Sequence, residues 1–177
     1  MKLHRYVSSA VLVMLLLPIE TALPQGAQSA NPREVVKSFY RFHFSRSMDF
    51  TKQNILRRQR WLAPQLYKLL QNEFHREDEY SRSHPNESFV PYMEGDPFTQ
   101  SQQYPTTFRV DKSVVCGNKA NVEIVFLWSA KSSRGRDERN VEIQLTKHNG
   151  KWLINNVIDK DSGADLLADL KRENYLP

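Results

Sequence analysis

The sequence predicts an α+β fold in which N-terminal helices pack on an antiparallel sheet of four strands (or more). Three observations predict it. First, Val141, Ile143 and Leu145 alternate with Glu142, Gln144 and Thr146, and Asn149-Gly150 then turns the chain back through Trp152, Ile154 and Ile158. Second, another pair of alternating segments, Thr106 to Cys116 and Ala120 to Ser129, flanks Gly117-Asn118. Third, apolar stripes at helical spacing precede both pairs, each behind a helix-start signal.

The first helix starts at Asn31-Pro32-Arg33-Glu34. Asn31 can cap, Pro32 suits the first helical position, and Glu34 completes a capping box. Val35, Val36, Phe39, Tyr40, Phe42 and His43 form its stripe, so it should run to about Ser45 and lie across the sheet. Thr51 can cap a short helix with Ile55 and Leu56. Arg57, Arg58 and Arg60 make that helix basic, a solvated face by the simpler reading and an anion site by the other. Pro64 opens a third helix with Leu66, Leu69, Leu70 and Phe74 buried, and its charged end, His75 to Arg82, is expected to fray. Arg82 to Pro105 reads as a long loop with Phe98 tucked in at Asp96-Pro97-Phe98-Thr99. Ala130 to Arg139 reads as an exposed charged connection, and Asp161-Ser162 as the cap of a short final helix.

Strand register follows from the apolar pattern, because a one-residue slip turns every side chain over. For the second hairpin, the two-residue turn sets Leu145 opposite Ile154, Ile143 opposite Asn156 and Val141 opposite Ile158. Asn156 is then the polar interruption of the inner face. For the first hairpin, a two-residue loop would set Val122, Ile124 and Phe126 opposite Ser113, Asp111 and Arg109. A three-residue loop instead pairs Phe108 with Trp128, Val110 with Phe126 and Val114 with Val122. The three-residue loop is the expectation, with Lys112 as the charged residue on the inner face.

The chain has 177 residues, 40% hydrophobic and 11% aromatic, which suits one domain with a real core. Residues 1–29 differ from the rest. A basic start (Lys2, Arg5), the apolar run Val7 to Leu17, and Ala27-Gln28-Ser29 have the layout of a cleaved secretory signal peptide; the other reading is a retained N-terminal anchor. Residues 30–177 are then the exported domain, periplasmic or extracellular, with a net charge of +4. That mild basicity favours solubility and does not call for nucleic acid. The single cysteine, Cys116, forbids an internal disulfide and reads as a small buried hydrophobe at a strand end, the other reading being a reactive thiol.

The order of segments Pro32 to Tyr40, Asp96-Pro97-Phe98, Tyr104-Pro105-Thr106, Phe126-Leu127-Trp128-Ser129, Gly135-Arg136-Asp137-Glu138-Arg139 and Trp152 to Ile158 covers most of the domain. In this it resembles the nuclear transport factor 2-like, or cystatin-like, superfamily, and within it a bacterial family of uncharacterised domains (the domain-of-unknown-function 3828 type). The resemblance implies a curved sheet wrapped round helices into a cone, and no assigned chemistry. Enzymes of the superfamily use the cone as a pocket with Asp, His or Tyr as acid or base.

A binding pocket needs a few converging polar groups in an apolar wall. The candidates for ligand contact are Asn156, Lys112, Trp128, Trp152 and Tyr104. His43, Asp96 and Tyr40 are weak candidates for acid–base work. Arg136 and Asp137 are candidates for partner contact. No metal-ligand spacing, cofactor motif or nucleophile elbow is present, so no cofactor or metal is expected. The sequence therefore points to a non-catalytic binding or interaction domain of the bacterial cell envelope, taking a small molecule or an envelope protein as monomer or homodimer. The alternatives are a lyase or isomerase using the cone pocket, and an immunity-type protein that binds a toxin.

Overall fold

The first helix, α1 (Pro32–Phe44), forms where its cap and stripe place it. Asn31 Oδ1 accepts the Arg33 amide at 2.9 Å, and Pro32 occupies the first turn, where its missing N–H costs nothing. Val36, Phe39, Tyr40 and His43 are buried along one face. The structure is a computed structural model that describes residues 31–86, 95–129 and 138–172. The expected signal peptide and the Arg136–Asp137 connection lie outside the described residues.

Thr51 Oγ1 accepts the Asn54 amide and starts α2 (Lys52–Arg58). A tight turn, Gln59–Trp61, leads into α3 (Pro64–Ser83). The expected fraying after Phe74 is corrected: α3 stays helical to Ser83. Its last turns are held by polar contacts that an apolar stripe does not reveal. Arg76 pairs with Glu73, Lys52 with Asp78 at 2.6 Å, and Tyr80 stacks on His84 at 4.1 Å.

The sheet comprises β1 (Thr107–Cys116), β2 (Lys119–Leu127), β3 (Glu138–His148) and β4 (Lys151–Asp159), antiparallel throughout and in the order β1-β2-β3-β4. It closes with α4 (Leu166–Lys171). Asp165, and not Asp161-Ser162, caps α4, accepting from the Ala168 amide at 2.9 Å. Val122, Phe126, Ile143 and Ile154 are fully buried beneath the helices, as their alternation requires. α1 lies against β1, β2 and β4.

Both strand registers differ from expectation by the same device, a β-bulge. Near its turn the first hairpin uses the two-residue loop, pairing Cys116 with Lys119 and Ser113 with Val122. One extra residue at Asp111-Lys112 then shifts the ladder, so that Val110 pairs with Ile124 and Phe108 with Phe126. The turn chemistry and the apolar pattern ask for different registers, and the bulge satisfies both. Lys112 therefore sits in an exposed bulge and not on the inner face, and Val114 points outward, 66% exposed. In the second hairpin Leu145 pairs with Ile154 as expected, but a bulge at Asn155 then sets Ile143 opposite Val157 and Val141 opposite Asp159. Asn156 pairs with Gln144 and has the opposite parity to the inner face.

The two edges of the sheet are treated differently. The β4 edge is covered by the segment after α2, where the Ala63 amide donates to the Ile154 carbonyl at 2.7 Å. Among the described residues no strand pairs with the outer edge of β1, and the bulge with its charges interrupts that strand beside the Val110 carbonyl, which accepts from Arg33 at 2.8 Å. Deletion of Lys112 removes the extra residue while keeping the apolar pairs on both sides. The expected outcome is a stability change of about 1 kcal/mol, together with a shift toward larger species in size-exclusion chromatography. A monomeric, strongly destabilised variant would contradict this account of the bulge.

Cys116 is exposed, not a buried strand-end residue. Every residue from Lys112 to Lys119, between the bulge and the start of β2, is exposed. No described helix is long and apolar enough to cross a membrane.

Candidate functional site

α1, α2 and the start of the 95–105 loop bring three charged or polar side chains into the core. Arg58 is 1% exposed and donates through Nε to His43 Nδ1 at 2.7 Å. Its other nitrogens donate to the Asn54 carbonyl and the Ser47 carbonyl, each at 2.8 Å. A guanidinium can only donate, so His43 Nδ1 must be the acceptor and the ring proton sits on Nε2. Nε2 faces Asp96 Oδ2 at 2.7 Å and donates to it. Thr99 donates to the same oxygen at 2.7 Å, and the Phe98 amide donates to Oδ1. A neutral imidazole thus bridges a buried cation and a buried anion.

His43, Asp96 and Tyr40 do come together. Tyr40 donates to the Phe98 carbonyl at 2.6 Å, and burial, aided by the Asp96 charge, pushes its phenol well above the usual range. All three are sealed from solvent, and their hydrogen-bonding atoms are already engaged inside the protein. Phe39 stacks on the His43 ring at 5.5 Å, and Phe98 meets both rings edge-on. The arrangement anchors the loop to the helices. An acid or base needs reach to a reacting atom, and these groups have none in this conformation.

An open concavity lies elsewhere, at the end of the sheet where β2 finishes and β3 begins. It has a volume of about 610 Å³ and is walled by Gln100 to Gln103, Trp128, Glu138, Arg139, Asp159, Asp161 and Ser162. Each wall has a structural cause. The Trp128 indole donates to the Gln103 carbonyl at 3.0 Å, which ties β2 to the loop. The Arg139 guanidinium lies 5.8 Å from the Trp128 ring centroid, donates to the Gln100 carbonyl, and sits 3.7 Å from Asp159. Asp159 holds the turn after β4, accepting from the Asp161 amide and the Ser162 hydroxyl. The result is a polar surface with an aromatic wall and charges of both signs.

Of the residues expected to contact ligand, Trp128 lines this pocket. Trp152 is buried, with Lys147 5.5 Å from its ring centroid. Asn156 is buried beside α4, where its oxygen accepts the Leu167 amide and its nitrogen donates to Asp165, each at 2.9 Å. Lys112 is in the bulge. Arg139, Asp159 and Arg58 were missed. Arg139 stood beside Arg136 in the same charged run, but nothing in the sequence separated it from a solvated side chain.

Tyr104 is exposed and donates to Asp49 Oδ1 at 2.6 Å. That bond, to a carboxylate, pushes its phenol up to about 12 and holds Asp49 below the usual carboxylate range. A raised phenol stabilises the fold fully below its unfolded value near 10, and the contribution is lost as pH rises through about 12. The depressed carboxylate contributes above its unfolded value and fades as pH falls through the folded one. Absorbance titration of the phenols should therefore show one exposed tyrosine ionising near 12, absent from Tyr104→Phe. If the variant loses only a phenol titrating near 10, the contact is not formed.

No family model and no curated protein matches this chain. It is similar to one chain of the crystal structure of the type VI native effector–immunity complex Tae3–Tai3 from Ralstonia pickettii, at 19% identity and a TM-score of 0.49. The match covers 73% of this chain and 95% of that one. It is also similar to a chain of the selenomethionine form of the same complex, at 18% identity and a TM-score of 0.45, covering 73% and 97%. Neither assigns an activity or a partner to this chain.

Proposed function

We propose that this chain is an exported, non-catalytic binding domain that recognises a protein partner through the pocket walled by Trp128, Arg139 and Gln100 to Gln103. One contrast carries the reading. The expected acid–base candidates, His43, Asp96 and Tyr40, are sealed in the core, while an aromatic ring and an arginine meet at an open polar concavity. Tryptophan and arginine supply a disproportionate share of binding energy at protein interfaces. The pocket is also preformed: Trp128 and Arg139 are both held by backbone carbonyls, so little ordering is needed on binding.

Site-specific photocrosslinking tests this. A photoreactive residue at Gln102, in the pocket rim, is expected to give a discrete adduct in cells producing the full chain. One at exposed Gln65, at the start of α3, is not. Trp128→Ala should abolish the adduct. Equal adducts at both positions, or adducts indifferent to Trp128→Ala, would defeat the proposal. An immunity-type role would appear as an adduct with a co-produced toxin and protection of the cell. Mass measurement of the exported protein checks the expected loss of residues 1–29.

A further inference from the structure

The end of α1, the residues just after it and the turn that follows α2 carry a second cluster, separate from the pocket. Phe42 is half-buried there, and Trp61 lies beside it with ring centroids 4.8 Å apart. The guanidinium carbons of Arg46 and Arg60 stand 5.9 Å and 5.5 Å from the Phe42 centroid, and that of Arg60 is 3.9 Å from the Trp61 centroid. Arg57 precedes Arg58 on α2. Arg46, Arg57 and Arg60 are exposed. Among the described residues none of their side chains makes a hydrogen bond or an ion pair.

We infer that this face is a docking surface for an acidic segment of a protein partner. Some other surface charges of the domain find partners: Lys52 with Asp78, Arg109 with Asp111, and Lys160 with Glu123. Arg46 and Arg60 have aromatic rings beside them and no carboxylate partner among the described residues. Stacking holds a guanidinium by its face and leaves its N–H edge outward, in the geometry that accepts a carboxylate through two parallel bonds. Rings already in place lower the ordering cost of the arginine side chains. A lipid surface fits less well. Interfacial membrane binding uses aromatic side chains that protrude into the headgroups, and here Trp61 is 8% exposed and lies beneath Arg60.

The probe is a fluorescein-labelled peptide of alternating glutamate and serine, followed by anisotropy with the full domain at low and high salt. Binding should weaken with salt, and Arg46→Glu/Arg60→Glu should weaken it by about tenfold or more. Lys68→Glu/Lys171→Glu makes the same change of net charge on α3 and α4 and should leave affinity within about twofold. Trp128→Ala should also leave it unchanged, which separates this face from the pocket. Thermal melts of the arginine variant should stay within a few degrees of wild type, because these side chains lose only their contacts with the Phe42 and Trp61 rings, which are weak at an exposed site. Equal losses in both charge-reversal pairs would reduce the effect to net charge and overturn the inference. So would a failure of wild type to bind the peptide, or binding to phosphatidylglycerol–phosphatidylcholine vesicles in its place.

Discussion

Arg58→Ala is expected to destabilise the domain by about 3–5 kcal/mol, the cost of leaving a buried charge without its counterpart. The substitution removes the cation that His43 and Asp96 are arranged around, and it empties the space that Arg58 fills in the core. Burial already penalises the charged guanidinium and lowers its pKa, while Asp96 works in the opposite direction. Within this group of residues, each charge is tolerable only with the other present. For a domain of this size the loss corresponds to a fall in melting temperature on the order of 10 °C. Asp96→Ala should cost a similar amount, and the double variant markedly less than the sum, because the second removal takes away a charge the first had stranded. Additive losses, or a single loss below about 1 kcal/mol, would show that the three groups do not act as a unit.

The second large effect is expected at Gly95. Its φ is +88°, and a Cβ there would run into the Ser101 carbonyl oxygen and come within 2.8 Å of Gln102 Cα. These are backbone atoms, which cannot swing aside. The adjacent bond from the Asp96 amide to the Ser101 carbonyl at 3.0 Å closes the loop that presents Asp96 to His43. Gly95→Ala therefore costs about 2–3 kcal/mol, combining a left-handed conformation with a displaced loop. Denaturant unfolding would read it directly. Since the damage passes through Asp96, it should be smaller in the Arg58→Ala background. A variant within about 0.5 kcal/mol of wild type would mean that the loop does not hold Asp96 in place.

Asp96-Pro97-Phe98-Thr99 was legible in the sequence as a turn with one aromatic tucked in, and Phe98 is 1% exposed. What the turn is for was not legible. Its carboxylate meets a histidine 53 positions away, and that histidine meets an arginine 15 positions further on. Arg58 looked like one of three solvated arginines on a short helix. Its neighbours Arg57 and Arg60 are exposed, and helical rotation of roughly 100° per residue turns Arg58 alone inward. Asn156 shows the opposite error. Counting by twos from an Asn-Gly turn was sound as far as Ile154, and one inserted residue at Asn155 then exchanged the faces.

By itself the sequence determined the elements: three N-terminal helices, two of them capped and the third opened by Pro64, two hairpins and the alternation that buries Val122, Ile124, Ile143 and Ile154. These depend on contacts within a few residues along the chain, such as caps, turn residues and periodicity. Only the tertiary structure decided where the bulges fall, which arginine is buried, and that Trp128 and Arg139 meet across the pocket. Those outcomes depend on competition between turn geometry and packing, and on contacts between segments far apart in the chain. No local pattern records how that competition resolves.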